Sequence, residues 1–179
     1  QDYYTHSFGL TFFDNFLSTA ALQALRNHLL ESTIWFNVKR GGYLGAYLAE
    51  GLACPVLLKI ANELPQKFPK IFKGHALKHV WAYKYDNLGQ SAGSPATGIN
   101  VHADFAAVNV NFWITPSESN MSEESGGLIV YDVEAPVSWD FETYNSDQAL
   151  IRKEIQVKKG EASVIPYLEN RIVIFNSNL

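Results

Sequence analysis

The chain has 179 residues, 47% of them hydrophobic and 13% aromatic, with a single cysteine and a formal net charge of −4 at pH 7. That length suits one domain able to bury roughly two thirds of the surface its unfolded chain exposes, and the composition is that of an ordinary globular protein. The acidic balance leaves no basic surplus for nucleic acid or an anionic membrane, the lone Cys54 cannot close an intramolecular disulfide, and neither a membrane-length apolar run nor a signal core is present, so a cytoplasmic setting is expected.

Residues 1–74 read as mainly helical support. Residues 13–30 repeat apolar side chains at helical spacing, with Asp14 or Ser18 placed to cap the helix. Residues 35–47 hold Gly41-Gly42 among several aromatics, which predicts a loop or hairpin. A second helix is predicted over 51–67, with Pro55 in its first turn and the Pro65 and Pro69 region closing it. From His75 onward the period becomes two, because Leu77, His79, Trp81, Tyr83 and Tyr85 alternate with Lys78, Val80, Ala82 and Lys84. Further strands are predicted at 106–114, 127–131, 151–157, 162–165 and 171–175, separated by turn-rich stretches such as 116–127 and 158–161. Helices followed by short strands predict an α+β fold in a single domain, with residues 75–179 forming a sandwich or barrel.

Between Ile99 and Pro116, His102 and Asp104 stand two residues apart. In an extended strand such residues share a face, which sets a nitrogen donor beside an oxygen donor. Imidazole with carboxylate suits Fe(II), Mn or Zn, and with a remote second His it makes the facial triad of non-haem Fe(II) oxygenases. The same pair could instead be a hydrogen-bonded His and Asp that orient a turn. Downstream, Asn109, Asn111 and Trp113 alternate with Val108, Val110, Phe112 and Ile114, so one strand face carries amides that meet either solvent or a cofactor cavity. Gly126-Gly127 reads as a backbone device for the tight opening of a strand, and 117–125 as an acidic surface loop. His75 and His79 share a face only if their strand begins that early, while His6 and His28 read as a terminal residue and a helix position.

Taken in order, several landmarks carry a resemblance: Trp81-Ala-Tyr-Lys-Tyr85, a polar Gly-rich loop, His102-Ala-Asp104, Val108 to Ile114, Gly126-Gly127-Leu-Ile-Val-Tyr131 and Asn170-Arg-Ile-Val-Ile-Phe175. Over about its last hundred residues the chain resembles the 2-oxoglutarate- and Fe(II)-dependent dioxygenases, in particular bacterial relatives of the prolyl 4-hydroxylase group. The resemblance implies a double-stranded β-helix, a jelly-roll relative of the cupins, braced by N-terminal helices. It implies His102 and Asp104 as iron ligands, 2-oxoglutarate as co-substrate, and hydroxylation of a small-molecule or peptidyl substrate. Tyr83 and Tyr85 fall where relatives place a Tyr that touches 2-oxoglutarate, and Asn109, Asn111 and Trp113 are further cofactor-binding candidates.

The family's third ligand, a His, is expected just beyond Leu179, followed by a basic residue for the far carboxylate of 2-oxoglutarate; Arg171 stands too early for that role. The chain is therefore expected to be C-terminally incomplete and lacking the last strands of the β-helix. As it stands it should hold iron poorly, show no activity, and leave sheet edges for a loop or a second copy, as a homodimer, to cover. The alternative expectation is a non-catalytic cupin-type jelly-roll domain that binds or scaffolds.

Overall fold

Ile172, Val173 and Ile174 are β-branched neighbours with no turn signal between them, and in the computed structural model of this protein all three are fully buried. The structure describes residues 3–6, 8–39, 42–85, 99–120 and 125–177. In chain order its strands and helices begin with β1 (Leu10–Phe13), α1 (Thr19–Glu31), β2 (Asn37–Lys39), β3 (Tyr43–Tyr47), α2 (Pro55–Lys67), α3 (Pro69–Phe72) and β4 (Trp81–Tyr85). They continue with β5 (Asn109–Phe112), β6 (Leu128–Tyr131), α4 (Phe141–Ser146), α5 (Gln148–Val157), β7 (Ala162–Ile165) and β8 (Ile172–Phe175). The chain divides into two compact units, residues 1–22 with 101–179, and residues 23–100.

In the first unit, β8 lies between β1 and β5, antiparallel to both. The register sets Leu10, Phe175 and Asn109 in one row and Phe12, Val173 and Asn111 in the next. On this face Leu10 and Val173 meet Ile165 of the antiparallel β6–β7 ribbon, with Phe12, Trp113, Leu128, Val130 and Phe175 packed around them. The opposite face carries Ile172, Ile174, Val110 and Phe112, and the Phe16 ring lies 5.3 Å from that of Phe112. With both faces covered, β8 reads as a continuous apolar run rather than an alternating one.

The β6–β7 ribbon depends on the glycine pair. Gly126 has φ +81°, and a Cβ on Gly127 would collide with the Ile165 carbonyl oxygen, so only a bare backbone fits against β7 there. The tight opening expected of Gly126-Gly127 is thus present, and its task is steric.

In the second unit, β2 and β3 form a hairpin, which settles the choice of loop or hairpin left open over 35–47, and β4 adds to β3. Register places Lys39, Tyr43 and Tyr85 in one row, Gly45 beside Tyr83, and Tyr47 beside Trp81, so one face is aromatic. The other face includes Ala46, which is fully buried. Helix α2 starts with Pro55 at its first turn, where a missing N–H is harmless, and buries Leu57.

The architecture is mixed α and β with antiparallel sheets, and among the described residues no closed barrel forms. Several expected boundaries move. Residues 10–13 form a strand, so the first helix begins at Thr19 with the Ala21 N–H donating to Ser18 Oγ at 3.3 Å, while Asp14 takes Arg171. Helix α2 ends at Lys67 as expected but starts at Pro55 rather than at 51. The alternation from His75 yields a strand only at Trp81–Tyr85, leaving His75 and His79 outside it. The strand expected at 151–157 is helix α5, because Asp147 caps it through the Leu150 N–H at 3.0 Å and Ile151 and Ile155 stand one helical turn apart. The Gly-rich loop before His102, Gly41, residues 121–124 of the acidic loop and Leu179 lie outside the described residues. No helix among the described residues is long and apolar enough to cross a membrane.

Candidate functional site

Residues 101–108 carry no strand; the chain becomes β5 only at Asn109. His102 and Asp104 therefore do not converge through the period of a strand. Their backbone is held from elsewhere. The Ala103 N–H donates to the Tyr144 carbonyl at 2.9 Å, and Gln148 Nε2 donates to the Val101 carbonyl at 2.7 Å, so the corner between α4 and α5 grips the chain on both sides of His102. Beyond it, Ser177 Oγ donates to the Asp104 carbonyl at 3.2 Å and the Ala106 N–H donates to the same oxygen at 2.8 Å.

This scaffold brings His102 Nε2 within 3.5 Å of Asp104 Oδ1, with side chains 29% and 27% exposed. Asn109 Nδ2 donates to the other carboxylate oxygen, Oδ2, at 3.0 Å. The carboxylate is thereby fixed with one oxygen engaged by an amide and the other turned to the imidazole. An outer hydrogen bond of this kind is what orients a ligating carboxylate. The pair fits a divalent metal in donor type and in convergence. It supplies two donors, and among the described residues no group of three or more His, Cys, Asp or Glu gathers to complete a cage.

The remaining expected site residues separate. Asn109 is next to Asp104, while Asn111, one row along β5, is exposed. Trp113 packs against the Leu10, Ile165 and Val173 cluster and meets the Tyr167 ring edge-on at 6.1 Å, so its surroundings are those of a core residue. Tyr83 and Tyr85 belong to β4 in the other unit, their rings 5.0 and 5.2 Å from that of Tyr43. Partial burial, reinforced by the neighbouring Tyr43 hydroxyl, pushes the Tyr85 phenol up to about 12. Arg171 serves the fold: its guanidinium donates to both Asp14 oxygens, at 2.6 and 3.1 Å, and to the Pro166 carbonyl at 2.7 Å, and lies 5.0 Å from the centre of the Phe12 ring.

Tyr144, Gln148 and Ser177 escaped the sequence reading. The one local signal for Gln148 was Asp147, a helix-capping residue just before a run of good helix formers. No protein family, curated protein or solved structure matches this chain.

Proposed function

We propose that this chain is an Fe(II)- and 2-oxoglutarate-dependent oxygenase of the double-stranded β-helix class, with His102 Nε2 and Asp104 Oδ1 as two of three iron ligands. The observation that supports it is the convergence of these two atoms at 3.5 Å while Asn109 engages the second carboxylate oxygen. When bound, iron with 2-oxoglutarate and dioxygen supplies the power to hydroxylate an unactivated C–H bond. The chain's own residues hold and orient. His102 gives an imidazole nitrogen, Asp104 a single oxygen, and Asn109 keeps that oxygen turned to His102. Tyr144 and Gln148 are positioning residues, since they fix the peptide groups on either side of His102.

The second reading, a cupin-type domain without redox chemistry, needs no more than the two donors that meet at His102 and Asp104. Succinate release by the full-length gene product with Fe(II) and 2-oxoglutarate separates the two. The oxygenase reading expects release that falls to background in His102→Ala and Asp104→Ala, and iron affinity about 10–100-fold weaker in Asn109→Ala. Release that survives His102→Ala sinks it.

A further inference from the structure

Helix α5 does more than hold Val101. Together with Val101 and Tyr131 it lines an open groove of about 660 Å3, into which Arg152, Ile155, Gln156 and Lys159 also face. That size falls in the range of small-molecule sites. The groove's charge is one-sided. Among the described residues neither Arg152 nor Lys159 has an ion-pair partner and no acidic side chain lines the groove, while the adjacent Glu154 is paired with Lys158 at 2.9 Å. An Arg guanidinium, a Lys ammonium and a Gln amide in the lining of one groove suit a carboxylate or a phosphate monoester. Val101 and Ile155 supply apolar wall for the body that carries it.

Lys159 is also held unusually. After α5 the Lys159 N–H donates to the Gln156 carbonyl at 3.1 Å and the Gly160 N–H to the Ile155 carbonyl at 2.8 Å, the paired bonds of a helix-ending turn whose left-handed position glycine normally fills. Here that position has φ 53° and carries a lysine.

We propose that this groove binds an organic anion with an apolar body, headed by Arg152 and Lys159, and presents it one residue from His102. Identifying that anion as the prime substrate rests on the oxygenase reading; the anion site itself does not.

The test is an amide NMR titration of the full chain with hexanoate and, separately, hexyl phosphate, with hexanamide as the uncharged control. Saturable shifts of the Val101, His102, Ile155 and Gly160 amides by at least one anion and not by hexanamide are expected, and the tighter probe identifies the headgroup. The Arg152→Gln/Lys159→Gln double variant should bind at least tenfold more weakly, while Lys153→Gln, on the same helix but outside the groove, should bind as the parent does. A thermal melt verifies that each variant is folded, and Lys159→Gln alone, expected to weaken binding partway, stands in if the double variant is not. No saturable shift at millimolar probe, or equal weakening by Lys153→Gln, overturns the site. Probe binding with no His102-dependent succinate release from the full-length gene product overturns the oxygenase reading and leaves the anion site supported; release without probe binding does the reverse.

Discussion

Asn170 occupies the left-handed region with φ 61°, and its side-chain amide spans Leu17, accepting from the Leu17 N–H and donating to the Leu17 carbonyl, each at 2.8 Å. Its own backbone adds bonds to Trp113 and Phe16. One residue thus ties the start of β8 to the turn after β1 and to the end of β5. Asn170→Ala leaves two partly buried backbone groups unsatisfied and puts a Cβ-bearing residue without a compensating amide in a left-handed position, so we expect a loss of about 2–4 kcal/mol, read as a lower urea midpoint at unchanged slope. Next to it, Arg171 holds the Asp14 carboxyl below the usual carboxylate range, mainly by hydrogen bonding to it. A carboxyl lowered in the folded state stabilises above its unfolded value, near pH 4, and that contribution disappears as pH falls through the lowered one. Asp14→Asn should therefore flatten the acid limb of the stability profile below about pH 4. Because Asp14 is largely open to water, the loss at neutral pH should stay under about 1 kcal/mol. Melts at stepped pH check both expectations.

Helix α5 illustrates competition between two periods over one short segment. Ile151, Lys153, Ile155 and Val157 fall on alternate positions with Arg152, Glu154 and Gln156 between them, which mimics a strand; yet Ile151 and Ile155 also stack one turn apart. Asp147 at the cap and Ala, Leu, Arg, Lys and Glu within favour the helix, and burial of Ile151 completes the choice. The end of α5 gives a test with opposite signs. Lys159→Gly relieves a left-handed lysine, so thermal stability should rise by about 0.5–1 kcal/mol, while the groove loses a cation and its affinity for hexanoate should fall. A variant that is both less stable and equally able to bind would contradict both assignments.

At the scale of the whole chain, stability should be graded within the first unit. Strand β8 has a hydrogen-bonding neighbour on each side and three fully buried residues, whereas the β6–β7 ribbon has two strands, with Ile129 and Val164 exposed on its outer side. Hydrogen exchange should find the β8 amides the slowest of that unit and those of β6 and β7 faster; equal rates would mean that the ribbon and the sheet open together. The sequence by itself determined the elements whose pattern is local: the aromatic alternation at 81–85, the apolar run at 172–175, the glycine pair before β6, and a helix with Pro55 in its first turn that ends at Lys67. It also named His102 and Asp104 as a donor pair, since residue type is enough to say what a side chain can ligate. What only the tertiary structure decided is how the pair meets. No strand carries it; Tyr144, Gln148, Asn109 and Ser177, between 5 and 73 residues away from the groups they bind, fix its backbone and carboxylate. Such long-range hydrogen bonds leave no periodic trace along a chain, because periodicity reports which face of an element is buried and not which distant group will satisfy a given carbonyl or amide.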